Sequence, residues 1–304
     1  MKPESENMPD SRFAGGLRSG ANERQGMLSF HVSAFMSRLL FLTAATLSAA
    51  IASPRPATSD MVRIPAGSVT FPFRSAGADS SATVLKVAAF RLDKQAVSVS
   101  EYLAFVKATP RLTRTRIPRL LADEGYLRDW KTDLDPGQGR NASETPVTGV
   151  SWHAAKAYCA AQGKRLPSTA EWELVAGTRP QGVEASAHER AILAWYARPA
   201  SEGTPAFGQG TRHAHGVRDL HGVIWEWTSD YNAWSGAGVN RRGRGDEADE
   251  GLFCGGGGSR MAAGTSYATY MRWAFRASLK PDYTVATQGF RCAADEGKEM
   301  RNEK

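Results

Sequence analysis

Between Gly216 and Asp230 the chain reads G-V-R-D-L-H-G-V-I-W-E-W-T-S-D. His221-Gly222 marks a turn, Val223-Ile224 is an apolar pair, and Glu226 is set between Trp225 and Trp227. Burying an ionised carboxylate without a partner is costly, so two arrangements are open. Either Glu226 faces water from the outer side of a strand whose indoles point inward, or a cation meets it. Asp219, one turn upstream across Gly222, is the natural second acidic ligand, and carbonyls exposed at a tight turn are the usual remaining oxygens of a calcium site. No EF-hand spacing supports the ion, and from spacing alone the outward carboxylate is the simpler arrangement.

Upstream, two short capped helices are written into the sequence. Ser151 follows the strand-like run Pro146 to Val150 and caps a helix whose apolar face holds Trp152, Ala155, Tyr158 and Cys159, stopped by Gly163. Lys164-Arg165-Leu166-Pro167 forms a rigid elbow, after which Ser168 and Glu171 make a capping box for a helix ending at Gly177. A third helix starts at the capping box of Ser98 and Glu101, with Tyr102, Leu103, Phe105 and Val106 as its buried stripe. Met61 to Gly67 and Val84 to Leu92 read as strands. Pro110 to Ser143, rich in arginine and poor in periodicity, reads as surface loop with one turn of helix. The pattern is that of an α+β module with much irregular structure, and no repeat of fixed period is visible.

The 304 residues, 41% hydrophobic with 30 glycines, are enough for a full core and many turns. A net charge of +7 suits an acidic partner. The arginines, among them Arg111, Arg114, Arg116, Arg119, Arg241, Arg242 and Arg244, are scattered without interleaved stacking aromatics, which speaks for a solvated basic face and against a nucleic-acid partner. Residues 1–52 read as extension and export signal. Met36-Ser37-Arg38, the apolar run Leu39 to Ala52 and the close Ala50-Ile51-Ala52 before Ser53 have the layout of a secretory signal. Met36 then reads as the start rather than Met1. The run is short for a membrane span; an uncleaved anchor is the other reading and the only route to a membrane. Residues 53–60 form a linker, 61–296 the folded domain and 297–304 a polar tail. A periplasmic or secreted location makes Cys159, Cys254 and Cys292 one disulfide and one odd thiol by simple arithmetic.

Five blocks carry a specific resemblance: T-P-V-T-G-V-S-W-H-A-A-K-A-Y-C, G-K-R-L-P-S-T-A-E-W-E, A-W-Y, G-V-R-D-L-H-G-V-I-W-E-W-T-S-D and Q-G-F-R-C. In this order they resemble the formylglycine-generating enzyme (sulfatase-modifying factor) family over most of Met61 to Asp295. The resemblance implies a single irregular α+β domain, a C-type-lectin-like variant with little regular secondary structure. It implies structural calcium on Asp219, on the carbonyls of Gly222 and Ile224, and on Glu226, with Val223 replacing the family's usual asparagine. It also implies a disulfide between Cys159 and Cys292, two buried thiols being the alternative, with Cys254 left over.

The resemblance breaks at the catalytic centre. Family enzymes bind copper(I) through two cysteines, a soft-donor pair that supports oxygen-dependent oxidation of a substrate cysteine to formylglycine. Aligned from Arg276 and Gly289-Phe290-Arg291-Cys292, those positions fall at or beside Ala263 and Ala268. Ser259 stands at the family's pocket serine, with Arg272 near it. Copper is therefore not expected on the family's ligands; an alternate ligand set would draw on Cys254 with Met261, Met271, His213, His215 or His221. Cysteine-poor proteins of this kind resemble the accessory proteins found beside copper nitrite reductases. The expected function is an exported binding or maturation factor with a protein or peptide partner. An oxidase with rearranged ligands and a lectin-like carbohydrate binder stand as alternatives.

Overall fold

The computed structural model describes residues 61–73, 83–137, 141–232, 261–262 and 264–296. All of them belong to the unit Ser53–Lys304. The signal segment, the linker, Cys254, Ser259, Ala263 and the polar tail lie outside the described residues. No helix among the described residues is long and apolar enough to cross a membrane.

Short strands and short helices alternate with long irregular connections. β1 (Met61–Ile64), β4 (Phe90–Asp93) and β7 (Ala293–Asp295) make an antiparallel sheet in the order β1-β4-β7, with Ile64 opposite Phe90 and Leu92 opposite Ala293. β2 (Gly67–Thr70) and β3 (Val84–Val87) form a separate antiparallel pair. The expected strand Val84 to Leu92 is thus two strands, broken after Val87, because its halves pair in different sheets. β5 (Trp225–Glu226) pairs in parallel with β6 (Gln288–Gly289).

The helices begin where their caps predict. Ser98 accepts from the Glu101 amide at 3.2 Å and Glu101 accepts from the Ser98 amide at 2.8 Å, opening α1 (Val99–Ala108). Ser151 caps α2 (Trp152–Ala161), and Ser168 with Glu171 closes a second box on α3 (Thr169–Ala176). Each such cap satisfies amide donors that a helix start leaves orphaned, worth about 1 kcal/mol. Two further helices, α4 (Ala185–Tyr196) and α5 (Tyr267–Ala277), are not legible in the sequence patterns above.

Two larger apolar cores stand out among the described residues. One packs Ile64, Phe90, Leu92, Trp172, Val175 and Ala293 between the three-stranded sheet and α3. The other gathers Tyr102, Phe105, Tyr158, Trp227 and Phe290 around Cys159 and Cys292, which the structure joins as a disulfide across 133 residues. The stretch expected as surface loop feeds this core. Leu112, Ala122, Tyr126, Leu127 and Trp130 are buried, and Tyr126 donates to the Leu112 carbonyl at 2.8 Å while accepting from Tyr102 at 2.6 Å. Its apolar residues lack helical or strand spacing, which hides their burial.

Glu226 lies on the strand face opposite the two indoles, yet it is buried, and the cation that meets it is Arg291. The guanidinium holds both carboxylate oxygens at 2.8 Å, and the Trp172 indole donates to one of them at 2.8 Å. Arg291 also donates to the carbonyls of Asp93, Lys94 and Arg218. Asp219 sits in the left-handed region, which aspartate tolerates, and accepts from the amides of Gly208 and Gly210 at 2.9 Å and from Gln95. The Gly222 carbonyl accepts from Arg198 at 2.7 Å. Ile224 packs with Ala96 and Val223. Three members of the expected calcium set Asp219, Gly222, Ile224 and Glu226 thus have donors from within the chain: Asp219, Gly222 and Glu226. Two arginines and a pair of backbone amides donate to oxygens of Glu226, Gly222 and Asp219, and a hard cation there would share those oxygens with these donors.

Removing the disulfide by Cys159→Ser with Cys292→Ser should lower stability by up to about 5 kcal/mol on chain-entropy grounds, read as a fall in the urea midpoint. An unchanged midpoint would place the tie between these segments in packing alone. Glu226→Gln leaves the Arg291 charge buried and half-paired, so it should cost about 3–5 kcal/mol. Calcium chelation should leave the melting temperature of the parent unchanged. A chelator-induced drop that Glu226→Gln abolishes would establish the calcium reading.

Candidate functional site

A cleft of about 700 Å3 opens between α3, α4, β2 and the start of α5. Its lining includes Ser68, Thr70, Arg179, His188, Glu189, Thr265, Ser266, Ala268 and Arg272. That volume suits a side chain or a short peptide segment. Ser266 caps α5 by accepting from the Thr269 amide at 3.2 Å, and Glu189 reaches across from α4 to accept from the Ala268 amide at 3.3 Å. The loop before α5 is thereby fixed against α4.

A buried ion cluster forms the floor. Arg272 and Arg276, one turn apart on α5, both converge on Glu173 of α3, with shortest contacts of 2.7 Å each. Arg272 also donates to Thr269 at 3.0 Å and to the Tyr196 hydroxyl at 3.1 Å, and Arg276 lies over the Trp172 ring, 4.4 Å from its centroid. Burial alone would raise the Glu173 carboxyl, but the two guanidinium groups outweigh it and hold the group below its usual range. Arg272 is pushed above its ordinary value: burial opposes the shift and Glu173 overcomes it. Two cations on one carboxylate leave the floor with a net positive charge. Tyr196 continues into an aromatic stack, 4.7 Å from Trp225, which lies 4.4 Å from Phe275.

The sequence-derived site residues divide. Arg272 is in the cleft, bound to Glu173 rather than free to receive a ligand through its guanidinium. Ala268 lines the same cleft, 1% exposed. Ser259, Ala263 and Cys254 lie outside the described residues. Of the soft or borderline ligands, His213 and His221 come together, 5.1 Å between ring centroids, whereas His215 is exposed on its own turn. Met261 and Met271 pack with Phe71, Phe73, Tyr270 and Trp273. Glu173, Tyr196 and His188 are site residues that the sequence reading misses. The signal for Glu173 is the Arg272-to-Arg276 spacing of four, which places two guanidinium groups on one helix face and calls for a buried anion. His188 has no such signal, because α4 lacks a cap bond and buries only Ile192 fully.

Glu173→Gln should leave two arginines without their shared carboxylate and cost about 3–5 kcal/mol at neutral pH. The folded carboxyl titrates below its ordinary value of 4.5, so its contribution is complete above that pH and fades as pH falls through the lower folded value. Urea unfolding at pH 7 and again below pH 4 should show the gap between parent and variant narrowing in acid. A gap that widens there would contradict the assignment.

Comparisons with known proteins agree with this architecture. Residues 48–296 match the family model described as the sulfatase-modifying factor enzyme 1-like domain. The chain is 28% identical over 298 residues to the formylglycine-generating enzyme of Thermomonospora curvata, covering 80% of this chain and 96% of that protein. It is 31% identical over 293 residues to the formylglycine-generating enzyme of Mus musculus, covering 80% and 77%. Over 187 residues it is 31% identical to the inactive C-alpha-formylglycine-generating enzyme 2 of Bos taurus, covering 56% and 57%. This chain belongs to the sulfatase-modifying factor enzyme 1-like family.

Proposed function

We propose that this protein uses the family's cleft to bind a protein or peptide partner and does not generate formylglycine. The observation that carries the reading is Ala268. It sits in the first turn of α5, buried in the cleft wall, at or beside a position where the resemblance implies a copper-binding thiolate. A methyl group offers no donor to a soft metal. Around it the wall is fully engaged: Glu189 holds the Ala268 amide, and Tyr196 donates to the Ala268 carbonyl at 3.3 Å. Those contacts support a cleft kept for its shape and charge. The likeness to a relative named as inactive fits a member that binds without oxidising.

The same proposal includes export, on the strength of the Met36-Ser37-Arg38 start, the apolar run and Ala50-Ile51-Ala52. It also includes an accessory role in maturing an exported partner, with a copper nitrite reductase as the candidate partner from the sequence resemblance. The net positive floor and the overall charge of +7 favour an acidic segment on that partner.

Incubating the purified chain with copper, reductant, oxygen and a Cys-x-Pro-x-Arg peptide should leave the peptide cysteine unchanged by mass spectrometry. Conversion to the aldehyde would overturn the reading, and its loss in Cys254→Ala would identify the replacement ligand. N-terminal sequencing of protein from the native compartment should begin near Ser53. An intact Met1 or Met36 on a cytosolic product would remove export from the proposal.

A further inference from the structure

One wall of the cleft has an unfinished backbone. β2 pairs with β3 on one side only, and an antiparallel ladder sends the hydrogen-bonding groups of successive residues to opposite sides. Phe71 donates to the Thr83 carbonyl at 2.8 Å, one step beyond the register pair Thr70 and Val84. Gly67 and Val69 therefore turn their amides and carbonyls to β3, while Ser68 and Thr70 turn theirs to the other edge. That edge lies in the cleft, which Ser68, Val69 and Thr70 line. Among the described residues no backbone group is bonded to Ser68 or Thr70 there.

The chain itself shows that this edge takes a strand. Ala262 donates to the Pro72 carbonyl at 2.8 Å, and Met261 is bridged antiparallel to Phe73. By the same alternation the Pro72 carbonyl belongs to the edge of Ser68 and Thr70. The ladder then stops, because the Thr265 amide turns back to the Ala262 carbonyl at 3.2 Å and Gly264 takes a left-handed φ of 77°. The next rungs, at Thr70 and Ser68, are left open where the cleft begins. Unpaired edge groups are a template for a further strand, and pairing along such an edge is a recurrent way of holding an extended peptide. A side-chain cue accompanies the backbone one. Arg179 lines the same cleft, exposed and in no ion pair among the described residues. Glu189, the carboxylate of the wall, is engaged with the Ala268 amide.

We infer that the partner enters the cleft as an extended segment that adds a strand to the free edge of β2 and sets an acidic side chain against Arg179. The inference rests on the peptide-binding reading of the cleft and specifies how the peptide is held. Ser68 and Thr70 supply two amide donors and two carbonyl acceptors, about 6.6 Å apart along the strand, so alternate residues of the segment pair with them. Main-chain bonds of this kind give affinity with little regard to sequence, and the side chains between them give selectivity. Proline has no amide to donate, so none stands at the pairing positions. A carboxylate suits the planar fork of a guanidinium that no carboxylate of the chain occupies.

The test pans two display libraries of random seven-residue segments, one with Asp and one with Lys fixed at the centre, on the full-length protein. The Asp library should enrich and the Lys library should not. A selected peptide should slow amide hydrogen exchange at Ser68 and Thr70, followed by 15N-resolved NMR, while Val69, already turned to β3, changes little. N-methylating the peptide at one alternate set of residues should weaken binding about tenfold, and at the other set should leave it unchanged. Thr70→Pro removes an outward amide from an edge strand and should weaken binding at an unaltered melting temperature. Arg179→Gln, on an exposed side chain, should erase the preference of the selected peptide for Asp over Asn. Peptides that perturb His188 and Ala268 yet leave exchange at Ser68 and Thr70 as it was would overturn strand addition while the binding role stands. Equal enrichment of the Lys library would overturn the place given to Arg179, and no enrichment from either library would overturn the binding role as well.

Discussion

Arg291 has five N–H donors, and the fold engages all of them: two on Glu226 and one each on the carbonyls of Asp93, Lys94 and Arg218. Few side chains could join the end of β4, the turn before β5 and β5 itself while lying at 0% exposure. A buried ion pair is stable only where its remaining polar atoms are met, and here Trp172 adds a third bond to Glu226. The next residue extends the anchor. The Cys292 amide donates to Asp93, and its sulfur is bonded to Cys159 on α2. Two consecutive residues thus tie the sheet, β5, α2 and α3 together, which lets a chain with so little regular structure hold one arrangement.

The parts legible in the sequence are those governed by local chemistry. Ser98, Ser151 and Ser168 announce helices because an N-cap is satisfied within three residues, whatever the rest of the chain does. The alternation Trp225-Glu226-Trp227 gives the correct faces of β5 for the same reason. What it cannot give is the depth of Glu226, since Arg291 comes from a segment 65 residues away. The helices α4 and α5 are hidden because their inward faces carry arginine, histidine and tyrosine rather than an apolar stripe. In α5 the buried residues include Arg272 and Arg276 beside Tyr270 and Trp273.

The cleft is legible only in part, and the division is physical. Ala268 can be placed by register against Gly289-Phe290-Arg291-Cys292, because that block fixes the alignment. Glu173 lies in plain view inside A-E-W-E, but its role depends on a helix about a hundred residues downstream. The expected calcium set shows the opposite situation. Four residues with suitable chemistry stand in a suitable pattern, yet the competing donors, Arg291, Arg198 and the amides of Gly208 and Gly210, come from elsewhere in the chain. A ligand set read from sequence is a statement about what oxygens could do, and the fold decides which donor reaches them first.

Loss of soft ligands at one position need not loosen the site around it. The cleft floor is held by Glu173 between two arginines, its wall by the Glu189 contact to α5, and its far side by the stack of Tyr196 on Trp225. None of these contacts passes through a side chain at position 268, so exchanging a thiol for a methyl group there removes chemistry without removing shape. Oxygen activation needs particular donor atoms, whereas recognition needs only a rigid surface of fixed charge. The cleft keeps such a surface, and that asymmetry is why the proposed binding role draws on the same residues that argue against an oxidase.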